Sequence, residues 1–272
     1  VRIDHAHMEE DAGKLTHHDG YSLVDLNRAG TPLIEIVSEP DIHSAEEAKA
    51  YVSELHKLMV YAGVTYGNLY HGNMRFDVNI SVAKKGATEL GKRAEIKNLN
   101  SFRSVERAAE YEFKRQVDIL GRGEEVVQET RGWNDDKQIT ISQRSKEDAQ
   151  DYRYMPDPDI PPVVLTDEVI AEIQSKVPML PGEYREKWSA LNLDKSVINS
   201  LLSNQDYAQI TLEVQEKSGE ASAKRVAHWF ASALTASDES DAQTDSESTR
   251  VAVDDLIELA EMTEKSEVSS TN

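Results

Sequence analysis

At 272 residues the chain has room for two domains, or one large one, with ample core. It contains no cysteine, so disulfides, thiolate metal sites and a cysteine-based glutaminase are excluded. A formal net charge of -20 argues against general nucleic-acid affinity, and no apolar run approaches the roughly 18 residues that span a bilayer, so a soluble, cytoplasmic protein with no membrane contact is expected.

The charge is unevenly placed. Residues 233–272 carry eleven acids against Arg250 and Lys265, while nine Lys or Arg face five Glu between Val82 and Arg115. The chain opens at Val1 and closes on the polar run SEVSSTN, so a fragment of a longer protein is expected.

In chain order, residues 1–14 (VRIDHAHMEEDAGK) read as a strand running into a loop at Gly13. Period-2 alternation puts His5, His7, Glu9 and Asp11 on one side and Met8 and Glu10 on the other. Adjacent carboxylates beside imidazoles suit a hard divalent cation such as Mg²⁺, while spacing alone favours a solvated acidic edge. Residues 21–40 (YSLVDLNRAGTPLIEIVSEP) read as a hairpin of LVDLN and PLIEIVS about an Arg28–Gly30–Pro32 turn, with Asp25, Asn27, Arg28 and Glu35 as its polar cargo.

A helix follows, capped by Ser44 with Glu47 three residues on, carrying Ala45, Ala48, Val52, Leu55, Met59 and Ala62 inward and stopping at Gly63; it reads as a cover for one sheet face. Residues 74–82 (MRFDVNISV) alternate, with Arg75, Asp77, Asn79 and Ser81 on the polar face. A returning strand from Arg93 to Lys97 places Glu95 on the same surface with Arg93 and Lys97, and Ala94 and Ile96 beneath. The next helix, 101–120, is expected to bury Phe102, Val105, Ala109, Phe113, Val117 and Leu120. A second hairpin joins EVVQETRGW to QITISQRS through NDDK and carries Arg131 and Arg144, whose planar forks suit phosphate, or else mark an exposed edge. The proline-dense stretch 151–162 is expected to be the seam between a domain of residues 1–162 and one of 163–272. The second half reads as helices over 166–176, 181–191, 195–204, 206–217, 221–234 and 250–264, with an acidic, Ser-rich loop at 235–249.

From residues alone, the first 160 positions form an α+β unit: an antiparallel sheet backed by helices, gathering Glu9, Glu10, Asp77, Asn79 and Glu95 with Arg75, Arg131 and Arg144. That set suits nucleotide phosphates bridged by Mg²⁺. There is no GxxxxGK[ST] and no kinase-type glycine loop.

LVDLNRAGTPLIEIVSEPD, together with HMEEDAGK, RFDVNISV, KRAEIKNLNSF, QETR and DYRYMPDPD, resembles the GatB family, the B component of aspartyl/glutamyl-tRNA amidotransferases. The resemblance implies a glutamine synthetase-like cradle followed by an all-α helical domain, lacking the N-terminal part of the cradle and the C-terminal tail. It implies ATP-dependent phosphorylation of the Glu or Asp side chain on misacylated tRNA(Gln) or tRNA(Asn), then amidation by ammonia. Its partners would be an amidase (A) subunit, a small C subunit, the misacylated tRNA and a non-discriminating aminoacyl-tRNA synthetase; its cofactors would be ATP and Mg²⁺. The metal role maps onto Glu10 and Glu95 with Glu9 and His7; Glu10, Glu95 and Asp77 would carry the catalysis. Arg75, Asn79, Arg131 and Arg144 would contact the nucleotide. The hairpin residues Arg28 and Glu35 are left to supporting or channel roles. A non-catalytic tRNA-docking role is the competing reading.

Overall fold

The computed structural model describes residues 1–145, 159, 161–238 and 251–269, with side chains placed to Gln143 and, in the last long helix, to Leu234. It is a mixed α/β chain that divides into two compact units: Val1–Val52 with Phe76–Asp148, and Ser53–Arg75 with Ala149–Asn272.

The first unit begins with strands β1 (Ile3–Glu10), β2 (Lys14–His18), β3 (Tyr21–Asp25) and β4 (Pro32–Ser38). The expected pairing of β3 with β4 does not form. Instead β2 pairs with β3 and β1 with β4, each pair antiparallel and two-stranded. The reason lies in the turn between β2 and β3: Asp19-Gly20 is a two-residue connection with Gly20 at φ +83°, the tightest hairpin signal in the segment. Once β3 is used there, β4 is left to return along β1. Residues 3–38 are thus two nested hairpins. The junction is closed where Asp11 N donates to Thr31 O (2.9 Å), Gly30 N donates to Asp11 O (2.9 Å) and Arg28 Nε donates to Asp11 Oδ2 (2.7 Å).

Helix α1 (Ala45–Tyr61) is capped as expected, Glu47 N donating to Ser44 Oγ at 3.1 Å. Its end does not lie on a sheet. Tyr61 is buried in the aromatic core of the second unit, edge-on to Tyr184.

Strands β5 (Phe76–Ile80), β6 (Ala94–Leu99), β7 (Glu129–Asn134) and β8 (Ile139–Ser145) make one sheet in that order. It is mixed rather than antiparallel: β6 and β7 run parallel, because helix α2 (Phe102–Gly121) carries the chain back before β7 begins. Helix α2 is started by Ser101, whose hydroxyl accepts from Ser104 N, and packs on the face holding Ala94 and Ile96, both fully buried.

The buried stripe of α2 is Ser104, Val105, Ala108, Ala109, Glu112 and Gln116. The expected core residues Phe113, Val117 and Leu120 are exposed on the neighbouring stripe. The helix is rotated because Glu112 and Gln116 have stronger claims on the interior than the apolar side chains. Gln116 Nε2 donates to Ile80 O (3.1 Å) and its Oε1 accepts from Val82 N (3.1 Å), satisfying backbone at the end of β5.

From Asp167 the described elements are helices: α3 (Asp167–Lys176), α4 (Pro181–Lys187) continued by a 3-10 turn at 188–191, α5 (Lys195–Leu201), α6 (Gln205–Ser218), α7 (Glu220–Asp238) and α8 (Val253–Glu264). Helix α7 runs four residues into the expected loop, whose remainder, like most of the proline-rich seam, lies outside the described residues. Around Trp188, Leu191, Leu201, Leu202, Leu212, Val226 and Phe230 these helices close a core, and Glu54 of α1 is clasped by Arg185 at 2.6 and 2.8 Å. Among the described residues no helix is long and apolar enough to cross a membrane.

Candidate functional site

The β1–β4 register decides which acids can cooperate. His7 lies opposite Glu35, Glu9 opposite Leu33, and Glu10 opposite Pro32. Side chains alternate along a strand, so His5, His7 and Glu9 share a face with Glu35, while Met8 and Glu10 share the other with Ile34. His7 Nε2 stands 3.1 Å from Glu35 Oε2 and 3.9 Å from Glu9 Oε2, each side chain about half exposed. The ligand atoms of His7, Glu9 and Glu35 all lie within 4.8 Å of one another. Asp4 holds the His5 ring through Nδ1 (2.6 Å), and that ring stacks on His7 at 5.4 Å.

Two carboxylates and an imidazole converging on one point fit a divalent cation that keeps most of its own water. Of the expected metal set the structure brings together His7 and Glu9. It adds Glu35, and it puts Glu10 on the opposite face and Glu95 on another sheet.

On the four-stranded sheet, the face away from α2 carries the second group. Asn79 lies opposite Glu95, and Glu95 lies beside Thr130 across the parallel pair. Thr130 Oγ1 donates to Glu95 Oε2 at 3.0 Å. Lys97 Nζ donates to Asp77 Oδ2 at 2.8 Å and stands 3.3 Å from Glu95 Oε1. The Lys97 ammonium is held above the usual lysine range: partial burial works against the charge, but the bonds and charges of Asp77 and Glu95 outweigh it. Gly132, whose Cα pairs with Lys97, leaves room for a side chain to cross: a Cβ there would meet the Gln143 amide nitrogen at 2.2 Å.

The arginines expected beside these acids are placed differently. Arg131 pairs with Ile96, so it points towards α2 and not towards Glu95. There it donates to Thr140 Oγ1 and Thr140 O, both at 2.8 Å, pairs with Glu129, and lies 3.5 Å from Glu112. Arg115 grips Glu112 through Nε (2.9 Å) and Nη2 (2.6 Å). Glu112, Glu129, Arg115 and Arg131 form a neutral buried quartet. Burial works to raise the Glu129 carboxyl, yet the Ser142 hydroxyl and the two guanidinium groups hold it below the ordinary range. Bonding to Glu112 keeps Arg115 firmly charged. Arg75 comes one residue before β5, so the strand's alternation does not orient it. Arg144 pairs through its backbone with Thr130, and its side chain lies outside the described residues.

Sequence reasoning missed Glu35 as a partner of His7, and missed Glu112 and Gln116 altogether. The Asp19-Gly20 turn carried the signal for the first, since it commits β3 to β2. The buried acid and amide had none, because an apolar-stripe reading of α2 selects against them.

The chain is 43% identical over 274 aligned residues to the B component of the aspartyl/glutamyl-tRNA(Asn/Gln) amidotransferase of Herpetosiphon aurantiacus, covering 100% of the chain and 57% of that relative. It is 47% identical over 247 residues to the protein of the same name in Polynucleobacter asymbioticus, covering 86% and 50%. With that of Lachnospira eligens it shares 53% over 190 residues, covering 69% and 39%. The chain thus spans about half the length of the curated relatives it matches. Residues 1–171, which hold both polar clusters and the eight strands found among the described residues, match the family described as the GatB/GatE catalytic domain, and the chain belongs to it.

Proposed function

We propose that this chain is the part of a GatB-type amidotransferase component in which ATP-dependent activation and amidation take place. The misacylated side chain of Glu-tRNA(Gln) or Asp-tRNA(Asn) would be phosphorylated by ATP, and ammonia would displace phosphate from the acyl phosphate. The observation that carries this reading is identity to GatB-type amidotransferase components along the whole chain. The two polar faces support it.

His7, Glu9 and Glu35 would hold Mg²⁺, which neutralises phosphate charge when bound. Asp77 and Glu95, with Asn79 beside them, would face the reacting groups; Glu10, on the ribbon face away from His7, Glu9 and Glu35, would keep only its catalytic part and not the metal one. Lys97 supplies the cation on the Glu95 surface that Arg131 was expected to bring. The division into a cradle of residues 1–162 and a helical domain of 163–272 belongs to the same reading, supported by the family match ending at 171. So do a cytoplasmic setting and the partners: an amidase subunit supplying ammonia, a small C subunit, and a synthetase that delivers the misacylated tRNA.

The test is an amidation assay on the assembled enzyme with both charged tRNAs. Glu95→Gln and Glu10→Gln should abolish amidation while glutamine hydrolysis by the partner persists at least in part. Full amidation by both variants would sink the proposal and favour a docking role.

A further inference from the structure

We propose that Thr130 and Lys97 are positioning residues for Glu95, each holding one of its carboxylate oxygens. The inference deepens the proposed function and rests on Glu95 acting in it. The Thr130 hydroxyl donates to Oε2 at 3.0 Å from the neighbouring parallel strand, and the Lys97 ammonium stands 3.3 Å from Oε1 on Glu95's own strand. With a donor on each oxygen, the side chain is held against rotation about its terminal bond.

The two donors differ in what they do. Thr130 is 9% exposed and lies in the register position opposite Glu95, so its hydroxyl has little freedom to be elsewhere. Lys97 is wetter, and it links Glu95 to Asp77 at 2.8 Å. One ammonium between two carboxylates offsets their mutual repulsion and ties the two side chains together. The sheet face thus presents two carboxylates oriented by one shared ammonium.

Glu129 and Arg131, the residues on either side of Thr130, fix this arrangement from below. Both are tied into the buried quartet against α2, so β7 cannot slide or turn over without breaking it. A one-residue slip would send Thr130 inward and Arg131 outward.

The experiment compares Thr130→Val, Thr130→Ser, Lys97→Met and Glu95→Gln in the assembled amidotransferase, measuring kcat and KM for ATP in amidation alongside glutamine hydrolysis. Valine keeps the shape of Thr130 and loses the hydroxyl; serine keeps the hydroxyl and loses a methyl. Thr130→Val and Lys97→Met should each lower kcat roughly 10–100-fold, the usual effect of removing a group that orients a functional side chain, with KM for ATP little changed. Thr130→Ser should restore most of the activity. Equal activity of the Val and Ser variants, or undiminished kcat in Lys97→Met, overturns the inference if Glu95→Gln is inactive. If Glu95→Gln is fully active, the assignment of Glu95 itself has failed, and the inference falls with it for a different reason.

Discussion

The sharpest stability test concerns Glu112, a fully buried acid on a helix whose apolar pattern assigns the interior to its neighbour Phe113. Oε1 of Glu112 accepts from Arg115 Nη2 (2.6 Å) and Gln116 Nε2 (2.9 Å); Oε2 accepts from Arg115 Nε (2.9 Å) and Thr140 Oγ1 (3.0 Å), with Arg131 Nε 3.5 Å away. Glu112→Gln replaces one of these oxygens by an amide nitrogen that can only donate. Two donors then lose their acceptor and face another donor, and the quartet is left with one uncompensated positive charge. Hydrogen bonds to a charged group are worth about 1.5–3 kcal/mol each, and breaking a buried pair costs about 3–5 kcal/mol. The expected loss is therefore about 3–5 kcal/mol, a large part of a domain's usual 5–15 kcal/mol. Urea unfolding reads the total, and amide exchange in α2 and β7 locates it. Phe113→Ser, at a site 52% exposed, should cost under about 1 kcal/mol. If Phe113→Ser proves the costlier change, or Glu112→Gln costs less than about 1 kcal/mol, the rotation of α2 is wrong.

Three further outcomes follow from named contacts. If His7, Glu9 and Glu35 hold the cation as proposed, Glu35→Gln and His7→Ala should each weaken Mn²⁺ binding at least about tenfold by electron paramagnetic resonance, since each removes one of the three groups whose ligand atoms lie within 4.8 Å of one another. Gly91→Ala should destabilise by about 2 kcal/mol in urea, because its Cβ would meet the Val82 carbonyl oxygen at 2.2 Å and only backbone can give way. Arg185 bonding and charge hold Glu54 below its ordinary value of 4.5 against a smaller opposing effect of burial, so the stability this pair contributes is present above that value and is lost as pH falls through the lower, folded one. Arg185→Met should accordingly lower the melting temperature near neutral pH and flatten the acid side of the stability profile; an unchanged acid side would remove the pair from the account.

The helical half was legible in detail because its punctuation is local. Thr166 caps α3, Pro181 opens α4 and Asn204 caps α6, each within a residue or so of the boundary expected from sequence. Such signals need no knowledge of what the element packs against. Alternation likewise predicted that Ala94 and Ile96 lie beneath Glu95 and Lys97, because one buried face suffices to set it. What failed was anything that depends on a distant partner. The helix α2 stripe was misassigned since its burial is decided by Arg115, Arg131, Thr140 and the end of β5, none of which an apolar count weighs.

The ribbon shows the same limit at the candidate metal site. Glu9 and Glu10 are adjacent in sequence, and alternation along the strand already sends one to each face, so they do not form one chelating pair. A second carboxylate for the Glu9 face must come from a neighbouring strand. Its identity depends on which strand pairs with β1. Because Asp19-Gly20 commits β3 to β2, β4 comes home to β1 and Glu35 lands opposite His7. The acid that completes the cluster is therefore chosen by a turn sixteen residues earlier in the chain, and it comes from the motif that best marks the family.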